Sequence, residues 1–91
     1  MGPNKINEYV EVLAYYPVPG KGSVWLRYPK KMKYKGIEFL FTELCMPHPT
    51  KKGQRMIHVY DVTDGVNDYR LEFDAEAETW KLLEIMYGGD K

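Results

Sequence analysis

One stretch, Val66 to Ile85 (V-N-D-Y-R-L-E-F-D-A-E-A-E-T-W-K-L-L-E-I), limits the possible folds more than any other. Tyr69, Leu71 and Phe73 alternate with Arg70, Glu72 and Asp74. A period of two is the signature of a strand with one face buried. If Ala75-Glu76-Ala77-Glu78 is a loop and the chain returns beside itself, Phe73 meets Trp80, Glu72 meets Lys81 and Leu71 meets Leu82. Two apolar pairs then flank a charge-complementary one, the arrangement that stabilises neighbouring strands. A hairpin here supplies the widest apolar face of the core.

The same residues carry a competing reading. Asp74 followed by A-E-A-E-T-W-K-L-L-E-I-M is a capped run of strong helix formers, with Glu76 and Glu78 well placed in a first turn. Such a helix gathers Thr79, Leu82, Leu83 and Met86 but scatters Trp80 and Ile85. The strand pairing leaves fewer loose ends, although Glu84 falls on the face of Trp80 and Leu82. The expected fold is therefore all-β, a small antiparallel barrel or strongly bent sheet of five or six strands. An α+β fold with a C-terminal helix at about 75–86 is the alternative.

A chain of 91 residues with 44% hydrophobic and 14% aromatic content reads as a single small domain over 1–91, too apolar for a disordered segment. Loose ends are expected at about 1–7 and 88–91. The lone Cys45 forms no internal disulfide, no run of apolar residues reaches membrane-spanning length, and no signal peptide is legible. A soluble, cytoplasmic protein is the expectation.

In chain order, Glu8 to Tyr16 forms the first strand, with Val10, Val12 and Ala14 on one face and Tyr9, Leu13 and Tyr15 around Glu11 on the other. Apolar residues on both faces suit a strand that is central in the sheet or whose outer face is covered. Pro17 to Ser23 is a loop rich in breakers. Val24 to Tyr28 makes a short strand that Pro29 is expected to stop, and the basic run P-K-K-M-K-Y-K-G comes next. Ile37 to Leu44 is the next strand, with Lys35-Gly36 either a tight turn or a bulge. Cys45 to Gly53 is a loop, and Gln54 to Val62 a strand with His58, Tyr60 and Val62 on one face. Asp64-Gly65 is a two-residue type I′ turn signal that would set Tyr60 opposite Tyr69 and His58 opposite Leu71.

Few of these residues assemble into recognisable chemistry. Cys45, His48 and His58 are the only soft metal ligands, half of a zinc motif, so no metal or other cofactor is expected. His58 reads as a core-margin histidine. Cys45 has no legible activating base, the acidic residues crowd a hairpin tip, and Gly20-Lys21-Gly22-Ser23 lacks a phosphate-loop pattern. No catalysis is expected.

Charge is uneven along the chain. Residues 1–58 carry ten basic residues against four acidic ones, and residues 59–91 three against nine. Either a polyanion-binding surface or cross-strand charge matching accounts for that split. The positive signal is a set of basic residues interleaved with aromatics: Trp25, Arg27, Tyr28, Lys30, Lys31, Lys33, Tyr34 and Lys35, extended by Lys51, Lys52 and Arg55. Cations meet phosphates and exposed rings stack on bases, so single-stranded nucleic acid is one expected partner. The plainer account puts Trp25 in the core and the lysines along an edge strand as protection against aggregation. The other expected partner is a protein that pairs with an exposed strand edge.

Overall fold

The computed structural model describes residues 4–15, 28–44, 48–52 and 55–88, with Tyr28, Leu44, residues 48–52, Arg55 and Met56 described by their backbone alone. The protein is all-β. Its strands are β1 (Asn4–Tyr15), β2 (Tyr28–Tyr34), β3 (Ile37–Leu40), β4 (Glu43–Leu44), β5 (His48–Lys52), β6 (Arg55–Thr63), β7 (Asp68–Asp74) and β8 (Thr79–Met86). All pair antiparallel, in the order β3-β2-β1-β8-β7-β6-β4, with β5 also on β6. Because β3, β4 and β5 are successive pieces of one passage of the chain, six strand paths make a strongly curled half-barrel. The curl brings the ends of the order together: Phe41 N–H donates to the Lys30 carbonyl (2.9 Å) and Thr42 N–H to the Thr63 carbonyl (2.8 Å).

The β7–β8 hairpin is the centre of the core. Phe73 faces Trp80, Glu72 faces Lys81 and Leu71 faces Leu82, the pairing that the alternation demands. Leu71 and Leu82 are fully buried, and the Phe73 and Trp80 rings lie 4.8 Å apart. The helical alternative over 75–86 is thereby excluded, since only residues 75–78 leave the ladder. Asp74 Oδ1 accepts from the N–H groups of Glu76 and Ala77 (3.0 and 3.1 Å), and Glu78 closes the loop at φ 58°. The same bonds would cap a helix, so the pairing of Trp80 with Phe73 and of Leu82 with Leu71, and not Asp74, decides for the strand.

A bulge resolves the awkward placement of Glu84. Arg70 pairs with Glu84 but Leu71 pairs with Leu82, so Leu83 is an extra residue on β8. Inserting one residue reverses the parity of every later position in the strand. Glu84 therefore turns outward beside Arg70, and Ile85 returns to the core at 3% exposure. β1 is irregular at the same level, between Lys5 and Glu8, where Asn7 adopts φ 55°.

Several expectations require correction. The expected loop over Cys45 to Gly53 contains the strand β5 (His48–Lys52), which pairs with β6 from Arg55 to Val59. The β6–β7 connection is the four-residue loop 64–67 rather than a two-residue turn, so Tyr60 faces Leu71 and Val62 faces Tyr69. A type I′ turn needs positive φ at both central residues, and here only Gly65 (φ 97°) supplies it. The Asp64 carboxylate instead draws in the N–H groups of Val66 (2.9 Å) and Asn67 (2.7 Å). Further, Pro29 does not end a strand. It sits buried within β2, opposite Ala14, beside a register shift that leaves Lys30 bulged. Proline lacks the donor that a regular ladder position uses, and a bulge is where that loss is tolerated. Last, β1 starts at Asn4, so part of the expected N-terminal loose end is in the sheet.

Lys35-Gly36 is a tight turn, with φ of 53° and 77°. A two-residue turn preserves parity, so Met32 faces Phe39 and both belong to the inner surface. Tyr69 joins the two parts of the fold. Its ring lies 5.7 Å from Phe39 and 5.4 Å from Phe41, while its hydroxyl donates to Asp64 Oδ2 (2.7 Å).

Candidate binding surface

The central strand β1 is shared between two partners. Residues 4–10 pair with β8, and residues 11–15 pair with β2. The β2–β3 hairpin turns back at Lys35-Gly36, so it stops short of the first half of β1. Among the described residues nothing pairs with that half on its β2 side. Its side chains are correspondingly open: Asn4, Lys5, Asn7 and Glu8 are exposed, and Tyr9 is 70% exposed. Ile6 and Val10 turn inward, half-buried against the core. Where β2 would continue, there is a shallow recess of about 480 Å³ between Glu8, Tyr9, Val10 and Glu11 on one side and Lys33, Tyr34 and Lys35 on the other, two carboxylates against two lysines.

The outer face of β1, β2 and β3 carries rows of side chains set by register. Glu11, Lys33 and Glu38 form one row, and Leu13, Lys31 and Leu40 the next. Lys31 Nζ is 3.5 Å from Glu38 Oε1. The lysines here alternate with glutamates across strands, as cross-strand charge matching requires. Leu13 and Leu40 are nonetheless 61% and 66% exposed on either side of Lys31. Lys35 Nζ sits 5.5 Å from the centre of the Tyr34 ring, and Lys81 Nζ 5.0 Å from that of Tyr9, both cation–π contacts.

The proposed basic-aromatic set is only partly brought together. Lys30, Lys31, Lys33, Tyr34 and Lys35 lie along β2 and its turn, with Lys30, Lys33 and Lys35 exposed and Tyr34 half-buried. Trp25 and Arg27 lie outside the described residues. Tyr28, Lys51, Lys52 and Arg55 are described by backbone alone, Tyr28 in β2, Lys51 and Lys52 in β5 and Arg55 in β6. The edge-strand account of the lysines is not upheld for β2, which lies between β1 and β3. Tyr9 and Lys81 also belong to this surface, and the sequence alone does not single them out. Only the pairing of Tyr9 with Lys81 across β1 and β8, 72 positions apart, brings them together.

A second cleft, of about 400 Å³, is lined by Glu43, Asp61, Asp68 and Glu84 together with Arg70. Arg70 donates to both carboxylate oxygens of Asp61 (2.8 and 3.2 Å), a hydrogen bond that raises its pKa. The 64–67 loop is held by the Asp64 carboxylate, which accepts from Val66, Asn67 and Tyr69. Burial alone would raise the Asp64 carboxyl, but hydrogen bonds from Tyr69, Asn67 and Val66 outweigh it and hold the group below its ordinary 3.8. Burial, and then the bond to Asp64, push the Tyr69 phenol up to about 12. These contacts hold a loop rather than face an open site. His58 is half-buried with its ring 6.5 Å from Tyr60. Cys45 is outside the described residues and His48 is described by backbone alone. Among the described residues no three His, Cys, Asp or Glu side chains converge as metal ligands would. No described helix is long and apolar enough to cross a membrane. No protein-family model, curated protein or solved structure matches the chain.

Proposed function

We propose that this protein is a non-catalytic binding module that takes an extended polypeptide segment along the open edge of β1. The observation that carries this reading is the one-sided pairing of residues 4–10, which bond to β8 and, among the described residues, to nothing on the other side. Unpaired backbone donors and acceptors on a strand edge are a template for another chain, and side-chain recesses beside them supply selectivity. Exposed Tyr9 and the recess at Lys33, Tyr34 and Lys35 stand where such selectivity is needed. The lone cysteine asks for no oxidising compartment, which supports a cytoplasmic setting.

The test is selection from a random peptide library, with binding mapped by amide chemical shifts. Enriched peptides should perturb residues 5–9 and slow hydrogen exchange there. Enrichment of nothing, or binders that map to another surface, would refute the reading.

A second reading is single-stranded nucleic acid across the outer face, favoured by Tyr9 at 70% exposure close to the exposed Lys33 and Lys35. The matching of Lys33 with Glu11 and Glu38 weighs against it, because phosphate binding draws on uncompensated cations. Titration with an oligothymidylate at low salt decides. Binding that weakens steeply as salt rises supports this reading, and no binding removes it.

A further inference from the structure

Asp64-Gly65 is the only Asp-Gly or Asn-Gly dipeptide in the chain, and the loop that joins β6 to β7 requires both halves of it. Gly65 takes φ 97°, a backbone angle that L side chains resist even where, as here, a Cβ would meet no other atom. Asp64 supplies the carboxylate that ties the loop together. Its Oδ1 accepts from the N–H groups of Val66 (2.9 Å) and Asn67 (2.7 Å), and its Oδ2 from the Tyr69 hydroxyl (2.7 Å). Glycine is also the neighbour that leaves an aspartyl side chain most open to attack by the main chain, because no Cβ shields its nitrogen. We propose that Asp64 is a self-modification site that the folded loop keeps silent: once these bonds open, the Gly65 nitrogen attacks the Asp64 side chain and the residue isomerises to isoaspartate.

In the reaction the Gly65 nitrogen bonds to Asp64 Cγ, and the amide proton and the carboxyl's hydroxyl leave as water, closing a cyclic succinimide. Water then opens the ring. Breaking the bond from nitrogen to Cγ restores aspartate. Breaking its bond to the main-chain carbonyl carbon gives isoaspartate, whose backbone is longer by one methylene and whose carboxyl stands directly on Cα. Asp64 is half-buried and Gly65 exposed, so exclusion of water does not protect the pair. Hydrogen bonds do. Ring closure consumes the Gly65 N–H and one carboxyl oxygen, and the loop engages that N–H and both oxygens. The Gly65 N–H donates to Thr63 Oγ1 (3.1 Å), which itself donates to the Asn67 carbonyl (2.9 Å). Loss of oxygen as water needs the protonated acid, whereas hydrogen bonds hold this carboxyl below its ordinary 3.8. The shortened carboxyl of an isoaspartate no longer reaches the two amides and the Tyr69 hydroxyl together, so the change, once made, unties the β6–β7 connection.

The experiment ages the intact protein in warm neutral buffer and follows the tryptic peptide 56–70 by chromatography and mass spectrometry. The isoaspartyl peptide keeps its mass but changes retention, and the succinimide is lighter by one water. The folded protein should isomerise about a hundredfold more slowly than the same chain held unfolded in urea, as two or more charge-assisted hydrogen bonds imply. Tyr69→Phe, which frees one carboxyl oxygen, should speed the folded protein's reaction about tenfold. Leu82→Val weakens the core and leaves the loop's bonds in place, so it should leave the rate unchanged. Equal rates in the folded and unfolded chain would overturn the proposal, because the loop then protects nothing. Acceleration by Leu82→Val as large as that by Tyr69→Phe would overturn it as well, since protection would then belong to the fold as a whole. So would an unfolded chain that forms no isoaspartate at position 64.

Discussion

Replacing Tyr69 by Phe removes one oxygen and leaves the ring that packs against Phe39 and Phe41 in place. The lost contact is the hydrogen bond to Asp64, 2.7 Å long and donated to an ionised carboxylate. A bond of this charge-assisted kind contributes about 1.5–3 kcal/mol net, and its partial exposure argues for the lower end, about 1.5 kcal/mol. The pKa agrees in scale. A phenol raised from 10 to about 12 reflects both burial and this bond, so the bond accounts for part of the shift. With a urea slope of about 1–1.5 kcal/mol per molar for a chain of this size, the unfolding midpoint of Tyr69→Phe should fall by about 1–1.5 M at pH 7. Trp80, packed between Phe73 and Tyr60, contributes a buried fluorescent reporter.

The pH dependence separates the hydrogen bond from any general loosening. The Asp64 carboxyl is held below its unfolded value, so its stabilisation is present above about 3.8 and is lost as pH falls through the lower folded value. The gap between wild type and Tyr69→Phe should therefore narrow at pH 2. Tyr69 is raised, so the stability linked to its neutral form is intact below 10 and disappears as pH climbs through about 12. The Phe variant has no such group, and the gap should close again in alkali. A gap that is absent at pH 7, or that stays constant from pH 2 to pH 12, would refute the reasoning.

Deleting Leu83 removes only the residue that is extra on β8 and leaves Leu82 inward, Glu84 outward and Ile85 inward in an unbroken alternation, so the variant should still fold and melt cooperatively; loss of cooperative thermal melting would contradict the parity argument. A Cβ on Gly88 overlaps the Val66 carbonyl oxygen, so Gly88→Ala should break the bond from Gly88 N–H to Asn67 Oδ1 and cost about 1 kcal/mol, read as a drop in Tm of roughly 4–8 °C. Arg70→Ala should cost no more than about 1 kcal/mol despite its two bonds to Asp61, because the pair is substantially exposed, and the cost should shrink further in molar salt; urea titrations at two ionic strengths check both.

The sequence by itself determined what depends on near neighbours. Alternation through Tyr69, Leu71 and Phe73, with the answering order Trp80, Lys81 and Leu82, specifies a hairpin and its register, because parity and charge complement leave one arrangement that buries the apolar set. A break at Lys35-Gly36 and the sharing of one face by Val10, Val12 and Ala14 are legible for the same local reasons, whereas the choice of turn over bulge and of which face is inward came with the fold. The two-residue turn at Asp64-Gly65 is misread because the dipeptide's backbone preference competes with a carboxylate that bonds two amides further along. Pro29 is misread because tolerance of a proline depends on a bulge that exists only once β1 is alongside. The candidate surface divides in the same way. Its lysines and Tyr34 stand close together in the chain, whereas Tyr9, Lys81 and the open edge arise from which strand lies beside β1, and for how far. Tertiary structure alone decided that. Two halves of one strand bond to different partners, β8 and β2, because the sheet curls and the β2–β3 hairpin stops at Lys35-Gly36. Strand pairing is a contest among distant segments, and its outcome is set by the core they enclose together.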